Sequence, residues 1–415
     1  MRIMNLRWIV CVLVLVSGLL TAGCGSPPPQ FRRYSTFIRQ VEDQVPKDDK
    51  GNPFRFSSQQ KQDLDEILAA LFGTPNDPLI PSVKDVDMNT VMSSGKLMVA
   101  AGAVGSDEQG RARGLYREHC AHCHGITGDG AGPTAAFLNP YPRDYRRGTF
   151  KFKSTPVGAK PTHADLRKIV VEGIPGTAMP AFLLLPENEI EALVEYVKYL
   201  SIRGEVERNL LSQWAEQNLG PDERLIDDAA NPNPDKVNLI KDVTAGVVNS
   251  WVEAETQALA VEGRPAMTGE ELAASRQIGK QLFQGTRANC ASCHGISALG
   301  DGQTTLFDKW TEEFITPKGD PKLINVFTSL GMLEPRNLKP RNLRQGVFRG
   351  GRRPVDIFWR IRNGIDGAQM PAAKSDALSD QEIWHIVNYV QSLPYESISD
   401  PRQNVPEPAN DRGVR

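Results

Sequence analysis

Two short cysteine–histidine motifs are the parts of this chain whose residue types and spacing are best suited to chemistry. Residues 120–124 read CAHCH, and residues 290–294 read CASCH. Each motif places two thiols about one helical turn apart and an imidazole directly after the second thiol. Such a group can hold zinc, work as a redox dithiol, or attach a c-type haem whose iron the histidine then binds.

A methionine follows each motif in the same local context. Residues 176–180 read GTAMP, and residues 367–371 read GAQMP. A haem iron that carries electrons needs a second axial ligand, and a methionine thioether supplies one. Met332 competes with Met370 in the second half but has no counterpart in the first, and His163 is an alternative ligand in the first half.

The duplication and the paired methionines favour haem over zinc or a dithiol. We therefore expect two covalently attached c-type haems as cofactors. Attachment is expected through Cys120, Cys123, Cys290 and Cys293, with His124 and Met179 on one iron and His294 and Met370 on the other.

Basic loops also repeat at matched positions. Residues 142–150 (PRDYRRGTF) align with residues 340–348 (PRNLRQGVF), and these segments are called the first and second arginine loops. We expect Arg143 and Arg341 to bind haem propionates, because a guanidinium pairs well with carboxylates. A docking rim for an acidic redox partner, or a plain solvated loop, remains open.

These motifs resemble class I c-type cytochromes, in particular bacterial dihaem members built from tandem domains. The resemblance covers a first repeat at 107–203 and a second repeat at 269–397. It implies an all-α fold wrapped around covalent haem, with one haem edge exposed for electron exchange. Closing helices match as well, Ile190 with Ile383 and Leu200 with Leu393, which supports a duplicated domain.

The N-terminus resembles a bacterial lipoprotein signal. Arg2 and Arg7 precede an apolar run at 8–20, and residues 20–24 read LTAGC. We expect removal of 1–23 and lipidation of Cys24; a secreted protein or an uncleaved anchor are the alternatives. Cys11 would leave with the signal, so no cysteine remains for a disulfide.

The motifs and the composition of the segments between them divide the chain into six predicted parts. We predict a lipoprotein-type signal peptide at 1–23, a tether and helical extension at 24–106, cytochrome domains at 107–203 and 269–397, an acidic linker at 204–268 and a C-terminal tail at 398–415. The linker carries 12 acidic and 5 basic residues and is either a helical spacer or a solvated connector. An insertion at 307–335 is a candidate contact surface or ordinary loop variation.

The formal net charge of −2 gives no argument for nucleic acid as a partner. We expect an electron-transfer protein rather than an enzyme, passing single electrons between redox partners such as a respiratory complex, a dehydrogenase or an oxidase. It would be a lipid-anchored membrane protein facing the periplasm or cell exterior of a bacterium. The alternative is a dihaem enzyme resembling cytochrome c peroxidases or thiosulfate dehydrogenases.

Overall fold

The structure is a computed structural model that describes residues 29–227, 233–308, 311–312, 321–374 and 376–399. The predicted signal peptide, Cys11, Cys24 and the tail beyond residue 399 lie outside these residues. From Phe31 onward the described residues belong to one compact unit. None of the described helices is both long enough and apolar enough to cross a membrane.

The described residues form an all-α fold, as predicted, with one small antiparallel sheet made of β1 (Gly105–Ser106) and β2 (Ala112–Arg113). The α-helices are α1 (Ser35–Gln44), α2 (Ser58–Phe72), α3 (Ser94–Ala100), α4 (Leu115–His119), α5 (Ala121–His124), α6 (His163–Glu172), α7 (Glu187–Glu216), α8 (Pro234–Ala254), α9 (Gly269–Gln284), α10 (Ala291–His294), α11 (Pro321–Ser329), α12 (Pro354–Arg362) and α13 (Asp380–Ser392). Short 3₁₀ turns span Met88–Thr90, Ala135–Phe137, Tyr145–Arg147, Leu343–Gln345, Leu393–Tyr395 and Ser397–Ser399.

Side-chain caps explain where several helices begin. A Ser or Thr side chain at the cap accepts the backbone N–H three residues on, and the side chain of that third residue accepts the backbone N–H of the cap. These capping boxes join Ser57 to Gln60 before α2, Thr162 to Asp165 before α6, Thr268 to Glu271 before α9, and Ser379 to Glu382 before α13. Each of these helix starts therefore has a signal in the local sequence.

The longest helix, α7, is the centre of the first hydrophobic core. The closing helix of the first repeat was expected to end with that repeat at residue 203, but it continues to Glu216. It does so because Leu210, Leu211 and Trp214 are also buried, and α1, α2 and α8 all pack against α7. The extension and the linker thus share one core with the first repeat.

The helical part of the linker packs on the first repeat. Val247, Val248 and Trp251 of α8 are buried in the first core. The Trp251 indole N–H also donates to Oε1 of the buried Glu205 on α7 over 2.8 Å. This part of the linker is therefore not a solvated connector.

The closing helix of each repeat packs against a helix that precedes the motif, but this partner helix comes from the extension in the first repeat and from the repeat itself in the second. In the second repeat α9 crosses α13 so closely that a Cβ on Gly279 would lie 2.0 Å from the His385 carbonyl oxygen. In the first repeat the corresponding helix, α4, has only five residues. There α3 packs on α7 instead, with Leu97 fully buried. The extension therefore completes the core of the first repeat.

Candidate functional site

The first motif histidine is held by a backbone carbonyl group. His124 is buried at the end of α5, and its Nδ1–H donates to the Arg143 carbonyl oxygen over 3.0 Å. The Tyr145 ring stacks on the imidazole with centroids 4.6 Å apart. Burial lowers the pKa of His124 to about 4, so the ring is neutral at pH 7. Because Nδ1 keeps the proton, the Nε2 lone pair is available to a metal.

The second motif histidine has the same support. Its Nδ1–H donates to the Arg341 carbonyl oxygen over 3.1 Å, and burial lowers the pKa of His294 as well. Pro133, which follows the first motif, is replaced here by Gln303, whose amide donates to the Leu338 carbonyl over 2.9 Å. Loss of the proline therefore leaves the histidine's carbonyl contact unchanged.

None of the four motif cysteines is paired in a disulfide. Burial raises the pKa of the Cys120 thiol to about 12 and that of the Cys290 thiol to about 11. Zinc deprotonates the thiols that bind it, so the zinc alternative depends on the number of ligands, and structural zinc needs four. The described residues contain no group of three or more His, Cys, Asp or Glu side chains that could hold a metal ion. In this part of the chain, neither thiol pair has the surroundings that the zinc alternative requires.

Each methionine lies in a tight loop that follows a helix, and the two loops have the same backbone hydrogen bond. After α6, the Ile174 N–H donates to the Met179 carbonyl over 3.1 Å. After α12, the Ile365 N–H donates to the Met370 carbonyl over 3.0 Å. Residues 174–179 and 365–370 are called the first and second methionine loops. The repeated sequence context thus corresponds to a repeated backbone loop, with each methionine half-buried.

Ring and core contacts bring the methionine loops towards the motifs. Phe182, just after the first loop, has its ring centroid 5.7 Å from that of His119, directly before the first motif. In the second repeat, Met370 and Cys290 pack against the same core cluster. Met332 is buried in a separate cluster formed with α11. The structure therefore favours Met370 over Met332 as the partner of the second motif.

Each arginine loop contacts the methionine loop of the other repeat. A Cβ built on Gly367, in the second methionine loop, would lie 3.3 Å from Nη1 of Arg143. A Cβ built on Gly176, in the first, would lie 3.2 Å from Nη2 of Arg341. Because the two contacts use matched residues, the repeats meet as an approximately two-fold pair.

Four cations gather where these loops meet: Arg143, Lys151, Arg341 and Arg349. Burial, with the nearby charges of Arg143 and Arg349, lowers the pKa of Lys151 to about 7, while Asp308 opposes this shift. Burial and the charge of Arg341 also lower the pKa of Arg349. The Nε atoms of Arg341 and Arg349 are buried without a hydrogen-bond partner among the described residues. Buried positive charge of this kind is typical of a site for anionic groups.

Comparison with known proteins identifies the family. The sequence model of the cytochrome c family matches residues 110–201 and 277–394, which together make up half of the chain. The chain belongs to the cytochrome c family. Among solved structures, it is similar to a chain of the Kuenenia stuttgartiensis reducing HAO-like protein complex, with 23% identity, coverage of 67% of this chain and 93% of that chain, and a TM-score of 0.45. No curated protein matches this cytochrome.

The residues of this cytochrome fit a covalently bound c-type haem. Each repeat supplies a thiol pair, a neutral histidine with Nε2 available and a methionine in a matched loop. Haem also carries propionate carboxylates, and the unpartnered Nε atoms of Arg341 and Arg349 suit such groups. Binding of propionates by Arg143 and Arg341 stays a prediction, which the structure extends to Lys151 and Arg349.

The sequence contained a signal for these two additional cations. Lys151 and Arg349 follow their arginine loops directly and occupy matched positions. Only the folded chain shows that they lie partly buried and near each other, because they belong to segments almost two hundred residues apart.

The described histidines outside the motifs include two with clear structural partners. Nε2–H of His163, the alternative axial ligand, donates to Glu191 Oε2 over 2.9 Å at the start of α6. Nδ1 of His385 is hydrogen-bonded to the Ser275 hydroxyl over 2.7 Å. Because the Glu191 carboxylate already binds Nε2 of His163, this histidine is disfavoured as an iron ligand.

A cavity of about 360 Å³ adjoins the first arginine loop. Arg32 of the extension, Arg143 and Lys151 line it, together with residues 330–334 and 336–338 of the second repeat. The described part of the 307–335 insertion therefore contacts other segments of this chain. A role for it as a surface for other proteins stays a prediction.

Proposed function

We propose that this cytochrome carries two c-type haems, one in each repeat, and passes single electrons between redox proteins. The observation that carries the proposal is the matched support of the two motif histidines. His124 and His294 each donate Nδ1–H to the carbonyl of an aligned arginine, and a methionine loop of the same geometry follows each one. Two copies of one arrangement support two copies of one cofactor site.

The proposed residue roles follow from the donor atoms. Cys120 and Cys123 would attach one haem, and Cys290 and Cys293 the other. Haem held in this way supplies one-electron exchange between ferric and ferrous iron. Nε2 of His124 and Sδ of Met179 would fill both axial positions in the first repeat, as His294 and Met370 would in the second. Full axial positions favour a carrier over the dihaem enzyme alternative, which needs a displaceable or different ligand at one iron.

We propose further that the two sites exchange electrons with each other across the contact between the repeats. Each arginine loop lies on the other repeat's methionine loop, so residues next to each proposed ligand meet at one interface. The buried Lys153 amine pairs with Asp366 Oδ2 over 2.8 Å across this interface, with both side chains largely shielded from solvent. Such a shielded pair holds the repeats in one arrangement, because removing one partner would leave a buried charge.

The number of haems is the direct test of this proposal. Mass spectrometry of the purified, denatured chain is expected to show two covalent haems. Replacing both cysteines of one motif, in C120A/C123A or in C290A/C293A, should leave one haem on the chain, and each double variant serves as the other's control. A wild-type chain with one haem or none would contradict the proposal.

We also propose that lipid on Cys24 tethers this cytochrome to a membrane on the periplasmic or outer side of a bacterium. Cys24 lies outside the described residues, and the proposal rests on the signal at 1–24. The tether would confine electron exchange to redox proteins in or near that membrane. A cytochrome that moves between them as a shuttle would purify alone, whereas one held as a subunit would copurify with its partners.

Replacing Cys24 with alanine is expected to release the cytochrome from the membrane fraction or to stop maturation of its N-terminus. Each buried lipid methylene contributes roughly 0.8 kcal/mol, so losing the acyl chains removes most of the membrane affinity. Fractionation with immunoblotting measures this, with C11A as a control because Cys11 lies within the predicted signal. Unchanged membrane binding and processing of C24A would contradict lipidation.

A further inference from the structure

The first arginine loop is connected to the N-terminal extension by a buried network that, among the described residues, has no counterpart at the second arginine loop. Asp144, the residue after Arg143, is buried and accepts a hydrogen bond from the Tyr34 hydroxyl over 3.1 Å. Tyr34 is fully buried, and its backbone N–H donates to Oε1 of the buried Glu207 on α7 over 2.7 Å. The extension therefore touches the residue next to the carbonyl that supports His124.

An arginine closes this network. Nη2 of Arg146 donates to Asp144 Oδ2 over 2.8 Å and its Nε donates to Oδ1 over 3.0 Å, while its guanidinium lies 3.6 Å above the centre of the Tyr34 ring. Burial raises the pKa of Tyr34, which keeps the phenol protonated as a donor. With the Arg146 backbone N–H, which donates to Oδ1 over 3.0 Å, four donor atoms fix the carboxylate in a site shielded from water.

The matched position in the second repeat is Asn342, which has no charge. Its side chain accepts the Arg344 N–H over 3.0 Å, and no tyrosine among the described residues donates to it. Arg344 pairs instead with Glu396 Oε2 over 2.8 Å. The two arginine loops therefore have similar backbones, but a carboxylate paired with Arg146 lies beside the carbonyl that supports His124, and an uncharged amide lies beside the carbonyl that supports His294.

We propose that Asp144, held by Tyr34 of the extension, lowers the reduction potential of the first haem relative to the second. A fixed negative charge near an iron favours the ferric form, and hydrogen bonding and burial around a haem are established levers on its potential. The charge of Asp144 then gives two otherwise matched sites different potentials, which gives electron flow through the chain a direction. This inference rests on the proposed binding of a haem in each repeat.

Exchanging the two matched residues provides the test. Asp144→Asn removes the charge and is expected to raise the potential of the first haem only. Asn342→Asp adds a charge at the matched place and is expected to lower the potential of the second haem only. Potentiometric titration of the full chain measures both, and the steps are assigned with C120A/C123A and C290A/C293A, which each lack one haem.

Tyr34→Phe separates charge from mere packing. It keeps the buried ring but removes the donor that offsets part of the carboxylate's field, so the first potential is expected to fall, opposite to the Asp144→Asn shift. Tyr199→Phe is the control, because Tyr199 is buried in the same core and donates to the Phe72 carbonyl rather than to Asp144. If the variants acted only by loosening the fold, Tyr34→Phe and Asp144→Asn would shift the reduction potential of the first haem in the same direction.

The outcomes distinguish this inference from the proposed function. If the chain carries two haems and neither Asp144→Asn nor Asn342→Asp changes a reduction potential, the inference is overturned and the proposed function stands. A chain without two haems would overturn both. If Tyr34→Phe fails to fold, the exchange of Asp144 and Asn342 still decides the matter.

Discussion

Replacing Met179 with histidine is expected to lower the reduction potential of the first haem by an amount on the order of 0.1 V, and to leave the second unchanged. Methionine ligation raises the potential relative to histidine, and axial ligands together span about 0.8 V in haem proteins. Imidazole is the stronger donor and stabilises ferric iron. Met370→His should have the matching effect on the second haem, and redox titration with optical detection measures each step.

Met332→His is the control for this pair of variants. Met332 is buried with Phe327 in its own cluster, so neither potential should move. Met179→Ala should instead leave an open axial position and yield a high-spin haem that binds added ligands. If Met179→His leaves both reduction potentials unchanged, or if Met332→His changes the potential of the second haem, the assignment of the methionines as ligands is wrong.

Replacing Gly204 with alanine is expected to destabilise the first core by about 1–3 kcal/mol, the usual cost of forcing extra atoms into packed space. A Cβ there would lie 2.3 Å from the Arg146 Cα, because α7 and the first arginine loop approach each other at this glycine. Displacing the loop would also disturb the Arg143 carbonyl that holds His124. Urea unfolding followed by circular dichroism measures the stability, and a shift of the first haem's potential reports the loop.

Gly246→Ala is the matched control for Gly204→Ala. Gly246 also lies inside a helix, α8, but a Cβ there would meet no other heavy atom of the described residues within 4 Å beyond the adjoining backbone of its own helix. Alanine should therefore stabilise the chain by roughly 0.5–1 kcal/mol through helix propensity alone. Equal stability of the two variants would contradict the close approach at Gly204.

The sequence was sufficient where the relevant information is local. The all-α fold was predicted from helical periodicity and family resemblance, and the described structure confirms it. The paired motifs and GxxMP segments predicted matching sites, and the loops around Met179 and Met370 do share one backbone hydrogen bond. The roles of these residues as haem ligands stay predictions.

Features that depend on long-range packing could not be read from the sequence. Arg143 and Arg341 were singled out because their loops align, but their contacts with Gly367 and Gly176 join segments far apart in the chain. The extension was predicted as a helical appendage, yet only its packing on α7 shows that α3 completes the first core. Tyr34 carries no motif, so its contact with Asp144 had no signal in the sequence.

Near-infrared magnetic circular dichroism of the oxidised, purified wild-type chain tests the central claim most directly, because it reports the axial ligands of each low-spin ferric haem. The proposed sites predict histidine–methionine ligation only, with an intensity equal to two haems per chain. A high-spin haem, or a haem with two histidine ligands, would contradict the assignment of Met179 and Met370 and with it the carrier function.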